Sequence, residues 1–467
     1  MKAIRRREFL KTVGFGLAAA LAPRVARGQQ PPPAAAAKGL NLLFVFADQM
    51  HGFAMGCMGD KQIRTPHLDR LAKEGVLFRN AYSSAPVCTP FRGTLFTGRY
   101  GSQTGILANE RPLPKGEKTL ADCLNAAGYR TSYVGKWHLG GAGNKVVPAE
   151  LRGGFTDFIG YQCYNDFLEN VIFFDEDGRE VNLHKHRTET TTDLAIQRLQ
   201  RAAAAGPFAL FVSYQNPHYP VQPSPEYEAM YRDVKITRRP NATDIDPYTA
   251  TVSPRAPKKG DDPNYRAYGG NLDRYLQLYD AMVTQLDANV GRLLAALDRL
   301  GLADRTAVIF TSDHGDMQGS HGLKNKGVAW EESVRIPCVV RVPGGAKGAV
   351  CDAPVSSVDY LPTCLDLAGA AALATAAGVS FAPLARGRTQ DGARPVFAEM
   401  PGWCLIRRGD LKLVASRKQG LQATHLFNLK DDPYEMKNLV DDPAHAAAKQ
   451  ELLAALTEWN GRVTARG

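Results

Sequence analysis

The chain has 467 residues, 44% hydrophobic and 22% charged. It is long enough for a large core beside a smaller domain, and the balance excludes a disordered, collagen-like or coiled-coil chain. Net charge is +10, but residues 1–28 hold seven basic side chains and one acid, so without them it is +4; no basic stripe interleaved with aromatics occurs elsewhere, so no nucleic-acid partner is expected.

At the start, Arg5 to Lys11 (RRREFLK) precede a short apolar stretch from Thr12 to Ala22, and Ala26-Arg27-Gly28 offer small residues for cleavage. Residues 1–28 read as a signal peptide whose apolar stretch is too short to span a bilayer. Arg6-Arg7 before Glu-Phe-Leu-Lys fits a twin-arginine export signal, and an ordinary secretory signal with extra arginines is the plainer alternative. Residues 29–38 are a low-complexity linker. No later apolar segment reaches membrane-spanning length. The expected product is a soluble periplasmic or secreted protein, delivered already folded by the twin-arginine machinery. The eight cysteines show no C-x-x-C pair, and Cys338 and Cys364, set in apolar runs, read as buried free thiols.

Four apolar or β-branched runs read as strands, and each is followed by chemistry. Leu42–Phe46 leads to Asp48-Gln49. Thr131–Val134 leads to Gly135-Lys136-Trp137-His138. Phe208–Tyr214 leads to Asn216-Pro217-His218, and Ala307–Thr311 to Ser312-Asp313-His314-Gly315-Asp316. Helical periodicity fills the intervals over Leu120–Ala127, Thr192–Ala203 and Leu276–Leu300. Alternating strands and helices predict an α/β fold with a large, mostly parallel sheet, and ligands in such sheets bind beyond the carboxyl ends of the strands. Alone, Asp48 could cap a turn and His138 could be a satisfied core histidine; four decorated strand ends together point to one site.

The segment Cys88-Thr89-Pro90-Phe91-Arg92, followed by Thr97-Gly98-Arg99, is the most specific signal. Pro90 suits the first turn of a helix, placing Cys88 at an N-terminus, where exposed N–H groups favour an anion or thiolate. Arg92 lies one turn further on the same side. With the four strand-end motifs and His321-Gly322-x-x-x-Lys326 in the same order, the chain resembles the sulfatase family of the alkaline phosphatase superfamily, in which this cysteine is oxidised to formylglycine by a dedicated generating enzyme.

The resemblance implies roles. Formylglycine at 88, as its hydrate, is the nucleophile towards a sulfate ester. Asp48, Asp313 and His314, with Gln49 and residue 88 alongside, hold a divalent metal. Lys136 and Lys326 bind the sulfate oxygens, and Arg92 orients the nucleophile. His218 is assigned as acid for the leaving alcohol and His138 as base, an assignment that could be reversed. Calcium is the expected metal, while Gln49 and His314, where many relatives have Asp and Asn, also admit manganese. His321 and Asp316 are set apart as supporting residues, and His184 and His186 as solvated loop residues. The expected layout is a catalytic domain over 39–370 and a C-terminal subdomain over 371–467, with short strands at Pro395–Glu399, Cys404–Arg408 and Leu411–Ala415 and a helix over Pro443–Asn460. Trp403 reads as a core tryptophan that could stack on a ring. The unpatterned segment Arg232–Tyr268 is expected to carry substrate contacts. The implied partners are a sulfated small molecule or glycan, the formylglycine-generating enzyme and the export machinery. A phosphonate monoester or phosphodiester hydrolase of the same superfamily is the second reading, and a non-catalytic binder of sulfated glycans the third.

Overall fold

Ten strands form one sheet in the order Ala349–Cys351, Val76–Phe78, Cys338–Arg341, Thr306–Ser312, Asn41–Asp48, Phe208–Pro217, Arg130–Lys136, Asp157–Tyr161, Phe173–Phe174, Glu180–Val181. The five from Thr306–Ser312 to Asp157–Tyr161 run parallel, and Cys338–Arg341 and Phe173–Phe174 join that block antiparallel. This is the architecture in a computed structural model that describes residues 39–243, 271–388 and 394–465. The expected signal peptide, the linker and residues 244–268 of the Arg232–Tyr268 segment lie outside the described residues.

The strand Asn41–Asp48 is buried along its whole length, as a central parallel strand must be. Its side chains alternate between two cores. Leu43 and Val45 pack with the helices Pro66–Glu74, Arg187–Ala203 and Leu272–Arg299 on one face. Leu42, Phe44 and Phe46 pack with Cys88–Thr97, Leu120–Ala126 and Tyr360–Ala368 on the other. The registers Ala47↔Ser312, Asp48↔Pro217 and Gly135↔Ser213 bring the ends of four strands to one edge.

A second sheet of four antiparallel strands, Val396–Met400, Trp403–Arg408, Leu411–Ser416 and Gln422–Asn428, packs against the helix Ala446–Thr464. It belongs to the same compact unit as the large sheet, which spans Ala35–Gly467. The strand Gln422–Asn428 is absent from the sequence reading, because Gln-Ala-Thr-His carries too few apolar or β-branched residues to show a period of two. The helix expected from Thr192 starts at Arg187, where three consecutive threonines dilute the apolar pattern. His186 is a correction. It is buried rather than solvated: it caps this helix by accepting from Thr188 N–H, approaches the Gln222 carbonyl at 2.8 Å through Nε2 and stacks on Phe167. His184 is exposed, as expected.

Candidate active site

The strand ends converge on Cys88. It is the first residue of the helix Cys88–Thr97 and is buried, with Val87 extended before it and Gly98 closing the helix in the left-handed conformation. The Cys88 Sγ lies 3.2 Å from His314 Nε2, 3.6 Å from Asp48 Oδ1 and 3.7 Å from Lys136 Nζ. Burial alone would push the thiol up; Lys136, Lys326 and His314 outweigh it and hold the thiol well below its ordinary value.

Asp48 sits at the end of its strand, paired to Lys136 Nζ at 2.5 Å and to Arg92 Nη2 at 3.3 Å. Despite burial and the nearby thiol, Lys136, His218 and Arg92 pull its carboxyl down to about 2. Asp313 also meets Arg92 Nη2 at 3.3 Å, but burial and the neighbouring Asp48 push its carboxyl up to about 6. Arg92 is fully enclosed: besides the two carboxylates, it donates to the Lys136 carbonyl and Ser213 Oγ. It therefore positions the carboxylates from behind.

Ligand atoms of Asp48, Cys88, Asp313 and His314 all lie within 4.8 Å of one another. His314 Nδ1 donates to the Gly315 carbonyl at 2.9 Å, which turns Nε2 towards Asp313 Oδ1 (3.4 Å) and Asp48 Oδ1 (3.7 Å), where it can carry a proton or bind a metal. A metal-binding histidine has this arrangement. Burial opposes a charge on His314, yet Asp313 draws its proton affinity up. Two buried carboxylates thus call for a cation at this point, and a divalent metal fits the donor set.

Gln49 is held on every side. Its backbone is left-handed (φ 69°), its N–H donates to Asp313 Oδ1 and its carbonyl accepts from Tyr279. Its Nε2 donates to Asp316 Oδ2 at 3.0 Å, and Asp316 also accepts from Tyr275 at 2.6 Å. Its Oε1 accepts from Lys326 Nζ at 2.6 Å. A flipped amide would set oxygen against carboxylate and nitrogen against ammonium, so Asp316 fixes the orientation. Asp316 thus does more than its sequence position told, and Tyr275 and Tyr279, which no motif marked, complete the cradle. Gln49, His138 and Asn325 all adopt positive φ, and such strained residues gather at functional sites.

The two histidines differ. His218 Nε2 accepts from Lys326 Nζ at 2.9 Å, and Nδ1 donates to the Tyr219 carbonyl at 2.6 Å. Burial and the Lys326 charge lower its value to about 4, so the ring is neutral at pH 7. Burial would also lower His138, but hydrogen bonds with Cys163 and Cys88 raise it above its ordinary value. Cys163, unmarked by the sequence reading, is itself lowered by Lys136 and His138 against burial. Lys326 hydrogen-bonds only neutral groups, Gln49 and His218, and no carboxylate lies within ion-pair distance of it among the described residues. All the residues expected at the site (48, 49, 88, 92, 136, 138, 218, 313, 314 and 326) are brought together. His321 stands apart from them, against Trp330 and Asn241. All eight cysteines are free, with Cys338 and Cys364 buried.

Comparison with known proteins agrees with this geometry. Residues 40–370 match the Sulfatase family, and residues 319–461 match N-sulphoglucosamine sulphohydrolase, C-terminal. The chain is 33% identical over 433 residues to an ulvan-active sulfatase of Formosa agariphila, covering 90% of this chain and 80% of that one. Among solved structures, a putative sulfatase yidJ from Bacteroides fragilis superposes with a TM-score of 0.80 at 26% identity, covering 94% and 98% of the two chains. BT4656, solved with its substrate D-glucosamine-2-N,6-O-disulfate, gives 0.76 at 25% identity, covering 91% and 98%.

Proposed function

Because this chain belongs to the sulfatase family and is a sulfuric ester hydrolase, we propose that it removes sulfate from an extracellular carbohydrate through a formylglycine made from Cys88. The observation that carries the reading is the convergence of Lys136, Lys326, Arg92 and the pair Asp313-His314 on residue 88, at the mouth of a parallel sheet. Oxidised and hydrated, residue 88 supplies a geminal diol: one hydroxyl attacks sulfur as the alcohol leaves, and loss of the proton of the other then re-forms the aldehyde as the carbon–oxygen bond to sulfate breaks. Asp48, Asp313, His314 and residue 88, with Gln49 beside them, would hold a divalent metal, calcium first and manganese second, which supplies Lewis acidity towards a sulfate oxygen.

The chain's own groups do the rest. Lys136 and Lys326 meet the remaining sulfate oxygens as point charges suited to a tetrahedral anion. Lys326 and His218 share a hydrogen bond in which the lysine holds the proton, so the Lys326 ammonium protonates the departing alkoxide, and His218, which accepts from it through Nε2, holds it in place. His138, beside residue 88, exchanges the proton of the diol. Arg92 keeps both carboxylates in place from behind. The carbohydrate assignment draws support from the ulvan-active relative and the glucosamine-disulfate complex. A twin-arginine signal over residues 1–28 would export the folded, modified protein, placing it in the periplasm or outside the cell. The proposed layout is a catalytic domain over 39–370 with a C-terminal subdomain over 371–467.

A second reading, turnover of phosphonate monoesters, rests on Gln49 and His314, which lower the negative charge around the metal site. To test the primary reading, the chain would be co-expressed with a formylglycine-generating enzyme, conversion of residue 88 followed by mass spectrometry, and sulfate release measured from a panel of sulfated mono- and disaccharides. Release that scales with conversion supports it; converted protein that releases no sulfate from any saccharide contradicts it.

A further inference from the structure

Just past Lys326 the chain runs into an aromatic cleft. Gly327 N–H is tied to Ser333 Oγ at 3.1 Å, and the Gly327 carbonyl accepts from Trp403 Nε1 at 3.0 Å. Trp330 follows, stacked on His321 at 3.9 Å and 19°, with Phe427 at 5.6 Å. The two indoles line a cavity of about 220 Å³ whose lining also includes Phe427, Thr424, His425 and Ser416. Trp330 is half-buried, packs against His321, His425 and Phe427 and keeps part of its surface on the cleft, while Trp403, also half-buried, rests on the apolar cluster of Val396, Ala398, Leu405 and Val414. The orientation of Trp330 is fixed: the His321 stack holds the ring, and its carbonyl accepts from Ser333 and Val334 N–H.

Resting on the carbohydrate sulfatase reading above, we propose that the Trp330–Trp403 cleft is the subsite for a pyranose ring of the substrate, beyond the sulfate held by Lys136 and Lys326. Trp330 is four residues from Lys326, so their Cα atoms lie at most about 15 Å apart, a reach that suits the sulfated sugar or its neighbour. The occupant follows from the chemistry of the walls. A pyranose has an apolar C–H face and a polar rim. The cleft offers indole faces and, on its lining, the Ser416 and Thr424 hydroxyls and the His425 imidazole, whose Nδ1 faces Thr424 Oγ1 at 3.0 Å. Thr424 Oγ1 donates to the Val414 carbonyl at 3.2 Å and Ser416 Oγ accepts from Lys418 N–H at 3.3 Å, so each hydroxyl is held in place and keeps acceptor capacity that a sugar hydroxyl can use and an apolar ring cannot. The cleft is also preorganised by the hydrogen bond on Trp403 and the stack on Trp330, which lowers the cost of ordering it on binding.

The test compares wild type and Trp330→Ala, both with residue 88 converted, on a sulfated disaccharide and on 4-nitrophenyl sulfate. The loss in kcat/KM on the disaccharide is expected to exceed that on the aryl ester by about tenfold or more, mainly through KM. Trp330→Phe, which keeps a flat ring, should recover part of the difference. In parallel, the unsulfated disaccharide is titrated against indole fluorescence; it should perturb the wild type but not Trp330→Ala. Equal losses on both substrates, or a disaccharide that perturbs neither protein, overturn the subsite. A Trp330-dependent response to 2-naphthyl sulfate but not to any saccharide overturns the pyranose occupant. Failure of the function reading looks different, because wild type would then release no sulfate from any saccharide while the fluorescence titration still reports on the cleft. If Trp330→Ala does not fold, as judged by circular dichroism, Trp330→Leu, which keeps apolar bulk but no flat ring, carries the same comparison.

Discussion

Two buried charge clusters lie on either side of the stretch from Lys326 to Glu331, and they are built on opposite rules. Around Lys412, two carboxylates share one buried ammonium: Glu331 at 2.9 Å and Glu435 at 2.7 Å. Tyr82 donates to Glu331 Oε2, and the Glu331 N–H donates to Glu435 Oε2. Charges and hydrogen bonds there close on groups of the protein itself, and they tie the strand Leu411–Ser416 of the four-stranded sheet to the helix Glu331–Val334 and to the short strand Ala81–Tyr82. Around Cys88, Asp48 and Asp313 face Lys136 and Arg92, and Lys326 adds a further cation bonded only to neutral partners. The first cluster pairs its charges within the chain; in the second, the half-buried Lys326 hydrogen-bonds only to Gln49 and His218, with the Cys88 thiol as its foremost anionic neighbour. A buried ion pair by itself says little about function, whereas a cation tied only to neutral groups beside a lowered thiol does.

Mutations should separate the two. Cys88→Ala should lower sulfate-ester turnover by roughly four orders of magnitude or more, since the nucleophile has no substitute, with little change in the thermal midpoint. Lys412→Met should destabilise the fold by about 3–5 kcal/mol in urea unfolding, because it strands the buried Glu435 and leaves Glu331 to Tyr82 and to Arg335 at 3.8 Å. Lys326→Met should do the reverse: turnover down by about 10²–10³, with unfolding stability unchanged or raised. A Lys326 variant as unstable as the Lys412 one would erase the distinction. Chelation should abolish turnover and lower stability in the active-site cluster alone; a metal present at a hundred times its Kd contributes about 2.7 kcal/mol, readable as a shift in the unfolding midpoint restored by calcium or manganese.

The smallest effect concerns pH. His51 is buried against Tyr279, and burial together with Arg239 lowers its value to about 3 from 6.5. The unfolded chain therefore binds a proton that the folded one refuses as pH falls below 6.5, so stability is full above that pH and lost towards pH 3. Between pH 6.5 and 5 this share is about 2 kcal/mol. Urea unfolding at the two pH values should show a loss in wild type that is smaller by this share in His51→Phe, while the share of His218, lowered to about 4, remains in both.

Sequence alone made the catalytic residues legible because they sit on strand tips and a helix start, where a short motif marks both the place and the chemistry. Asp48, Lys136, Asp313 and Cys88 each announce themselves locally, and sheet order brings them together. The supporting residues carry no such mark. Asp316 meets Gln49 across 267 positions, and Tyr279 meets it across 230. The Glu331–Lys412–Glu435 clamp and the Trp330–Trp403 cleft arise where the small sheet docks, and no pattern along the chain encodes that docking. His186 misled because a polar neighbourhood in sequence became a capped, stacked helix start in the fold.

The most direct test of the central claim is the ratio of kcat/KM for an aryl sulfate to that for the matching aryl phosphonate monoester, on protein with residue 88 converted and with Cys88→Ala as control. The account predicts that the sulfate is the better substrate and that both rates vanish in the variant. A clear preference for the phosphonate would contradict it and would show that Gln49 and His314 retune the site towards phosphorus.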